Sequence, residues 1–440
     1  MSSSTDPTTV CNPYDELPYK SLPIEWTAPE RLALASLLHG GPRTRTQSCR
    51  VLELGCGDGA NLLPLAHYRS GCSFVGIDGA DSQIAIACRR QADLGLRNVE
   101  FIAADFCAAD ARLEGEFDYI VAHGVFSWIS DEARNALLRL CSRRLRDGGL
   151  FYLNYNTLPG WSVRGMVRDF LIAQTAGAGD LLARARQAQA VAAQMAGSFE
   201  LPVQFSAQQP YSRLIANEFE FVCEHDTSYV AHEYLSPFNR AYWRSEFLGL
   251  ARAHGLEYVA DADFSHASGR LPPDLPSRLQ SLRLTGRSVE DTVDLLCYRQ
   301  LHSPILCRGG LTRRPPSSNE FGALSVASCL VLAADDAAAP NSFFTHPPSG
   351  FQVETRTPAM RQALLRLQPL WPHGLPMQTL FSEVAVAMDD LVLLHRNGLI
   401  ELRLADPAEA DNHPFVSTPL PADGGAYAVT PYHSRVAIEA

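Results

Sequence analysis

The chain has 440 residues, enough for roughly three domains, and 46% hydrophobic content excludes wholesale disorder. Its net charge of -11, from 37 Lys plus Arg against 48 Asp plus Glu, argues against a broad nucleic-acid or anionic-membrane surface. No apolar run approaches the roughly 18 residues of a membrane span, and the start MSSSTDPTTV lacks the basic and apolar parts of a signal peptide, so the chain reads as cytoplasmic. The 11 cysteines are scattered, with no C-x-x-C pair and no Cys/His cluster at zinc spacing. Cys72 and Cys88 read as reduced core residues.

The first dozen residues are polar and read as loose. Asn12 to Trp26 mixes three prolines and two tyrosines with apolar residues and reads as an extended arm lying on a surface. An amphipathic helix is expected from Ala28 to Leu38, ended by Gly40-Gly41-Pro42. Strands are then expected at Arg50 to Leu54, Ser73 to Ile77, Val99 to Ala103, Phe117 to Ala122 and Leu150 to Asn154. Helices are expected at Ala60 to Tyr68, Ser82 to Leu94 and Asp131 to Leu145. This alternation predicts an α/β, doubly wound, Rossmann-like parallel sheet. Trp161 to Met195 reads as helical. A helix over Asn239 to His254 leads through Gly255 into a strand at Leu256 to Val259. Leu271 to Pro276 reads as a loop, Val289 to Leu301 as a helix, and Gly309 to Ser318 as a linker. The remainder reads as an α+β, winged-helix-like module, with Leu391 to Leu404 a helix stopped by Asn397-Gly398 and followed by a strand. The expected borders are 1–26 for the arm, 27–200 for the catalytic domain, 201–308 for a helical domain and 319–440 for the C-terminal domain.

The most informative stretch is Val51-Leu-Glu-Leu-Gly-Cys-Gly-Asp-Gly59-Ala60. A strand running into Gly55 and Gly57 lets backbone approach a ligand at the carboxyl edge of a parallel sheet. It also satisfies the weak dinucleotide pattern G-x-G-x-x-A. Asp58 at the helix start and Glu53 behind it oppose a pyrophosphate, however, and suit the cationic sulfonium and ammonium of S-adenosylmethionine (SAM). Asp78 at the end of the second strand is placed for the ribose hydroxyls. Asp105 after the third is placed for the adenine amino group, with Phe106 packing nearby.

The chain resembles the class I SAM-dependent methyltransferases, specifically the bacterial group with a methyltransferase regulatory domain and a further C-terminal domain, which includes the rickettsial protein lysine methyltransferases. The strings that carry the resemblance are Tyr14-Asp-Glu-Leu-Pro-Tyr19-Lys-Ser-Leu-Pro23, Leu52 to Gly59, Phe74 to Asp78, Phe117 to Trp128 and Tyr155-Asn-Thr-Leu-Pro-Gly-Trp161. More loosely they include His232-Glu-Tyr-Leu235, Gly255 to Phe264, Asp294 to Arg308, Trp371 to Leu404 and Tyr432-His433. Two positions depart from the pattern: Gly79-Ala80 follows the ribose acid, and Ser162 follows Trp161 where a histidine is common. The resemblance implies SAM as cofactor, and a protein lysine or a small N- or O-nucleophile as methyl acceptor. A SAM-binding regulator without turnover is the remaining reading, and a homo-oligomer is left open.

Methyl transfer from a sulfonium is an in-line displacement, so the protein's task is positioning. A lysine acceptor, with a pKa of about 10.4, arrives protonated, and a dry aromatic pocket favours loss of that proton. Tyr14 and Tyr19 on the arm, His123, Phe126 and Trp128 after the fourth strand, and Asn154 and Tyr155 after the fifth are the candidates for this wall. His123 also lies within reach of the cofactor. The arm tyrosines are expected to act as a lid, with aromatic contact to a sulfonium or alkylammonium as the motive. His232-Glu233 reads as bland, lacking the second histidine of a zinc helix.

Overall fold

The computed structural model describes residues 12–19, 21–198, 209–262, 274–282, 285–333, 342–347, 350–355, 357–404, 415–416 and 427–437. Most of the first dozen residues, Lys20, Phe264 and the first part of the Leu271 to Pro276 loop lie outside these. The central element is a seven-stranded sheet built from β1 (Arg50–Leu54), β2 (Ser73–Asp78), β3 (Val99–Ala103), β4 (Phe117–Ala122), β5 (Leu145–Leu153), β6 (Leu256–Asp261) and β7 (Pro304–Arg308), in the order 3-2-1-4-5-7-6. The first five pair in parallel, and β7 runs antiparallel between β5 and β6. The strand order turns back between β1 and β4, and at such a point an open α/β sheet leaves a crevice at its carboxyl edge.

Period-two alternation divides the strand residues between two cores. Val51, Tyr119, Tyr152 and Ile305 face one side with Leu32, Leu62 and Leu65. Leu52, Ile120, Phe151 and Leu306 face the other with Phe126, Leu137 and Phe247. Glu53 therefore points to the side of Val51, toward α1 (Pro29–Leu38) and α2 (Leu62–Tyr68). β5 begins at Leu145, five residues before its expected start, because Leu145 already pairs with Phe117; the register shift before Leu150 passes through Gly148 at φ +74° and Gly149, where a Cβ would stand 2.9 Å from the Asp118 carbonyl.

Packing divides the chain differently from the expected borders. Helices α3 (Trp161–Thr175) and α4 (Leu181–Ala196) do not close the catalytic unit. They share a core with α5 (Gln209–Glu224) and α6 (Thr227–Leu235), built from Leu171, Ala188, Phe219, Val222 and Tyr234. The later part of the stretch expected as the helical domain returns instead to the sheet as β6 and β7. β7 was not foreseen. The expected helix stops at Leu296, where the buried Asp294 carboxylate accepts from Arg299 Nε (2.8 Å) and lies 2.7 Å from His302 Nε2, turning the chain into β7. Beyond the linker, helices Pro358–Leu367, Met377–Glu383 and Met388–Arg396 pack on a three-stranded sheet in an α+β arrangement. Leu34 and Leu37 of α1 join that core, so α1 is shared by the sheet and the C-terminal domain. Among the described residues no helix is long and apolar enough to cross a membrane. Cys72 is buried as expected, whereas Cys88 is exposed on the helix Asp81–Asp93.

Candidate active site

The glycine loop after β1 is a tight cradle. Gly55, Gly57 and Gly59 have φ of +76°, +52° and +79°, and a Cβ at each would meet Val125, Ser21 and Phe101 within 2.8 Å. The loop is tied to β2: Gly55 N and Cys56 N donate to the Ile77 carbonyl, and Gly57 N donates to Asp78 Oδ2 at 2.9 Å. Asp78 also accepts from Ala80 N through Oδ1. Burial pushes its carboxyl above the usual range against the pull of these N–H donors. Asp78 thus stands at the expected strand end and orders the loop as well.

Asp58 is not the open charge that the sequence suggests. Its side chain is buried, caps Ala60 N and pairs with Arg90 Nη1 at 2.6 Å. The guanidinium offsets its charge, so Asp58 is a loop-ordering residue. Glu53 is buried behind the loop, where Asn61 Nδ2 donates to Oε1 at 2.9 Å, while Oε2 has no partner among the described residues. Burial holds its carboxyl at about 8. The Asn61 oxygen accepts from Ile24 N of the arm's end (2.9 Å) and lies 2.8 Å from His433 Nε2 of the C-terminal domain.

At the end of β4, His123 sits beneath the arm's last residues. Trp26 Nε1 donates to Tyr152 Oη at 2.9 Å, and His123 Nδ1 lies 2.8 Å from the same oxygen. Asn154 Oδ1 accepts from Gly124 N, which turns its amide nitrogen toward His123 Nε2 at 3.5 Å. That nitrogen is then the acceptor, and the His123 proton resides on Nδ1, facing Tyr152. Burial lowers the His123 pKa to about 4, so the ring is neutral.

The arm bridges the sheet and the helical unit. Toward the sheet, Asn12 Nδ2 donates to Gly79 O and Ser82 N donates to Asp15. Toward the helices, Ser228 Oγ donates to Pro18 O, His232 Nε2 lies 2.7 Å from Leu17 O, and Leu181 N donates to Glu16. Tyr14 stacks face to face on His232 with ring centres 4.3 Å apart, and Tyr19 meets the same ring edge-on at 5.7 Å. Tyr14 also feels the carboxylates of Asp78 and Glu233, which add to burial in raising its pKa. His232 and Glu233 belong to this site, although the sequence offered only their place in a weak string. No sequence spacing links the arm to α6, 215 residues away at the Leu17 to His232 contact.

The other candidates fall at the rim or in the core. Asp105 is exposed and caps the short helix Phe106–Ala109 through Cys107 N at 2.5 Å, with Phe106 packed on the sheet core. Trp128 packs edge-on against Trp161 at 5.8 Å. Tyr155, expected on the acceptor wall, is a core residue: it is 2% exposed, and its ring stacks on Phe247 at 4.1 Å. The backbone turns it inward just past β5 because Tyr155 pairs with His302 and Asn156 with Leu301 in a second, antiparallel ladder.

Sheet order, reversed β7, glycine cradle and the acid at the end of β2 together define a class I SAM-dependent methyltransferase fold. Comparison with known proteins agrees. Residues 52–151 match the family described as a methyltransferase domain, and residues 226–308 the one described as a predicted methyltransferase regulatory domain. The two matches thus correspond to the two parts of the group that the motifs resemble, and the cofactor of this class is SAM. An uncharacterized protein of Rickettsia prowazekii is 32% identical over 301 residues, covering 68% of this chain and 53% of that protein. This chain thus spans about half the length of that relative. A second uncharacterized protein of the same organism is 29% identical over 239 residues, covering 54% of this chain and 93% of its own length. PKMT2 from Rickettsia typhi, solved in complex with AdoHcy, shares the fold with a TM-score of 0.79 at 22% identity, over 96% of this chain and 86% of that one.

The residues present fit the cofactor: a cradle that admits no Cβ, an acid at the end of β2, and a buried acid with an unpartnered oxygen behind the loop. Because Asp78 orders the loop and stands at the strand end where a ribose is expected, Asp78→Ala should weaken S-adenosylhomocysteine binding by roughly tenfold or more, about 1.5–3 kcal/mol. It should also lower the melting temperature, and calorimetry with thermal melts reads both. For Glu53, the folded pKa lies above the unfolded one. Its contribution to stability is therefore full below the ordinary carboxylate range and is lost as pH rises through about 8. Relative to the parent, cofactor-free Glu53→Gln should therefore gain in melting temperature as pH rises from 5 to 8, which a paired pH series of thermal melts reads.

Proposed function

We propose that the chain is a SAM-dependent methyltransferase acting on an amine, with a protein lysine side chain as the acceptor. The observation that carries this reading is the place of Tyr14: stacked on His232, on an arm pinned at both ends, within electrostatic range of the cofactor acid Asp78 on one side and of Glu233 on the other. The cofactor supplies an electrophilic methyl carbon on a sulfonium. Asp78 and the glycine loop would hold its adenosyl part, with Glu53 behind them.

The chain's own residues would do the rest. Tyr14, Tyr19 and His232 form an aromatic wall that disfavours a charged ammonium, so an acceptor amine loses its proton more readily there. Glu233 is held up at about 7 by burial, against the pull of Arg164 and Arg168, so near neutral pH it can accept that proton. Neutral His123, fixed by Tyr152 and Asn154, orients the floor of the crevice. The resemblance of the motifs to the rickettsial protein lysine methyltransferases supports lysine. A small-molecule acceptor is the competing outcome, because the arm and α6 also enclose the site.

Tritiated-methyl transfer from SAM into a lysate, separated into protein and small-molecule pools, tests the proposal. Label in protein that survives as methyl-lysine after hydrolysis is expected; label confined to small molecules would redirect the acceptor, and no label would remove the activity. With the acceptor in hand, deleting Met1 to Leu22 should lower kcat and speed cofactor exchange, since water then reaches the transfer site. Unchanged turnover, together with equal hydrogen exchange of Tyr14 to Tyr19 with and without S-adenosylhomocysteine, would reduce the arm to a tether. For Glu233, the parent's kcat/KM should rise with pH through about 7 as the carboxyl ionises. Glu233→Gln should lose that limb of the profile, whereas a purely structural role would lower the rate and leave the profile's shape intact.

A further inference from the structure

We infer that His433 is a positioning residue for the cofactor site: through Asn61, the C-terminal hairpin of strands Tyr427–Val429 and Arg435–Ala437 sets the orientation of the Glu53 carboxyl and with it the hold of the glycine loop on its ligand. The inference rests on the SAM reading of that loop and deepens it. The contact is long-range, since Asn61 and His433 are 372 residues apart in sequence and meet at 2.8 Å. His433 is 1% exposed and adopts φ +65°. A non-glycine residue holds the left-handed conformation only where surrounding contacts over-determine it.

The donors and acceptors leave one arrangement. The Ile24 N–H fixes the Asn61 oxygen as the acceptor side of its amide. His433 Nε2 must therefore carry the proton and donate, while Nδ1 has no partner among the described residues. Burial keeps the ring neutral, with Arg69 and Arg31 acting in the same direction, so it remains a single-proton donor. The amide nitrogen of Asn61 then faces the other way, donating to Glu53 Oε1 at 2.9 Å and Thr27 Oγ1 at 3.1 Å. A flipped Asn61 would set its amino group against the Ile24 N–H, which can only donate, so Ile24 excludes that state. His433, donating from Nε2, then holds the amide oxygen on the side that Ile24 selects.

The hairpin is built to deliver this ring. Tyr68 Oη donates to Val429 O at 2.7 Å, Arg69 Nη2 donates to Pro431 O at 3.3 Å, and the Arg403 guanidinium lies 3.6 Å from the Tyr432 ring centre. Val429 is fully buried in the sheet core. The hairpin thus grips α2, the helix that the glycine loop enters, and Asn61 is the residue just before that helix.

Calorimetry on the full chain with S-adenosylhomocysteine tests this, at a temperature where circular dichroism shows each variant folded. His433→Ala should weaken binding by about tenfold, the scale of leaving one buried acceptor short of its donor. His433→Gln, which keeps an N–H donor at similar reach, should recover most of it. In a double-mutant cycle with Glu53→Gln the two losses should be less than additive, because they act along one chain of hydrogen bonds. In the unsubstituted protein, S-adenosylhomocysteine should increase hydrogen-exchange protection of Tyr427 to Ala437, as reciprocal coupling requires; this readout needs no variant to fold. If the parent binds the ligand but His433→Ala binds equally well, or the hairpin's exchange is unchanged by ligand, the positioning role is overturned. A parent chain that binds neither SAM nor S-adenosylhomocysteine would instead overturn the cofactor reading.

Discussion

The arrangement of the site depends on one buried amide. Asn61 is 5% exposed and contacts four parts of the chain at once: the end of the arm at Ile24, the turn before α1 at Thr27, the acid of the glycine strand at Glu53, and the C-terminal domain at His433. An amide has two faces of opposite hydrogen-bonding sense, and each is spoken for, so the four segments constrain one another through a single rotamer. A carboxylate in place of Asn61 would bury a charge and lose the amide N–H that Glu53 Oε1 accepts. An apolar residue would leave several buried groups unpaired, each costing on the order of 1–3 kcal/mol.

The choice of ligand at the glycine loop follows from the same economy of hydrogen bonds, and for a different reason than charge alone. Asp58 is offset by Arg90, and Glu53 holds its proton until about pH 8, so the loop carries less negative charge than its sequence implies. What opposes a pyrophosphate is occupancy. The N–H groups of Gly55, Cys56, Gly57, Gly59 and Ala60 are all taken by carbonyls or carboxylates of the chain itself. A phosphate needs such groups bare at a helix start, and here the Ile77 and Cys56 carbonyls and the Asp58 and Asp78 carboxylates have claimed them.

Much of this was legible in the sequence, because it rests on short-range signals. The alternation of apolar runs with amphipathic helices located β1 to β4 to within a residue or so, and the glycines located the loop. Asp78 and His123 stand at the ends of β2 and β4, where the strand pattern puts them. Three features were not legible. β7 starts with a proline and has a short apolar run, and its place between β5 and β6 is decided by pairing with distant strands. Tyr155 was misassigned because position after a strand does not tell which way a side chain faces once the backbone joins a second ladder. His232 and Glu233 acquire their surroundings only when the arm folds across them, and a contact between such distant segments leaves no local pattern.

The two ends of the described chain converge on the same crevice from opposite sides, and this gives the accessory domains a physical task. The arm lies over the carboxyl edge and reaches α6, so the helical unit forms the far wall of the site. The C-terminal hairpin lies behind the loop and reaches the same edge through α2 and Asn61. Either contact alone would restrain one side of a cradle whose strength depends on backbone groups held in place. Held from both sides, the loop loses little further freedom when a ligand arrives, and binding energy is then less consumed by ordering the protein. The sheet supplies the crevice, and residues far from it in sequence supply its rigidity.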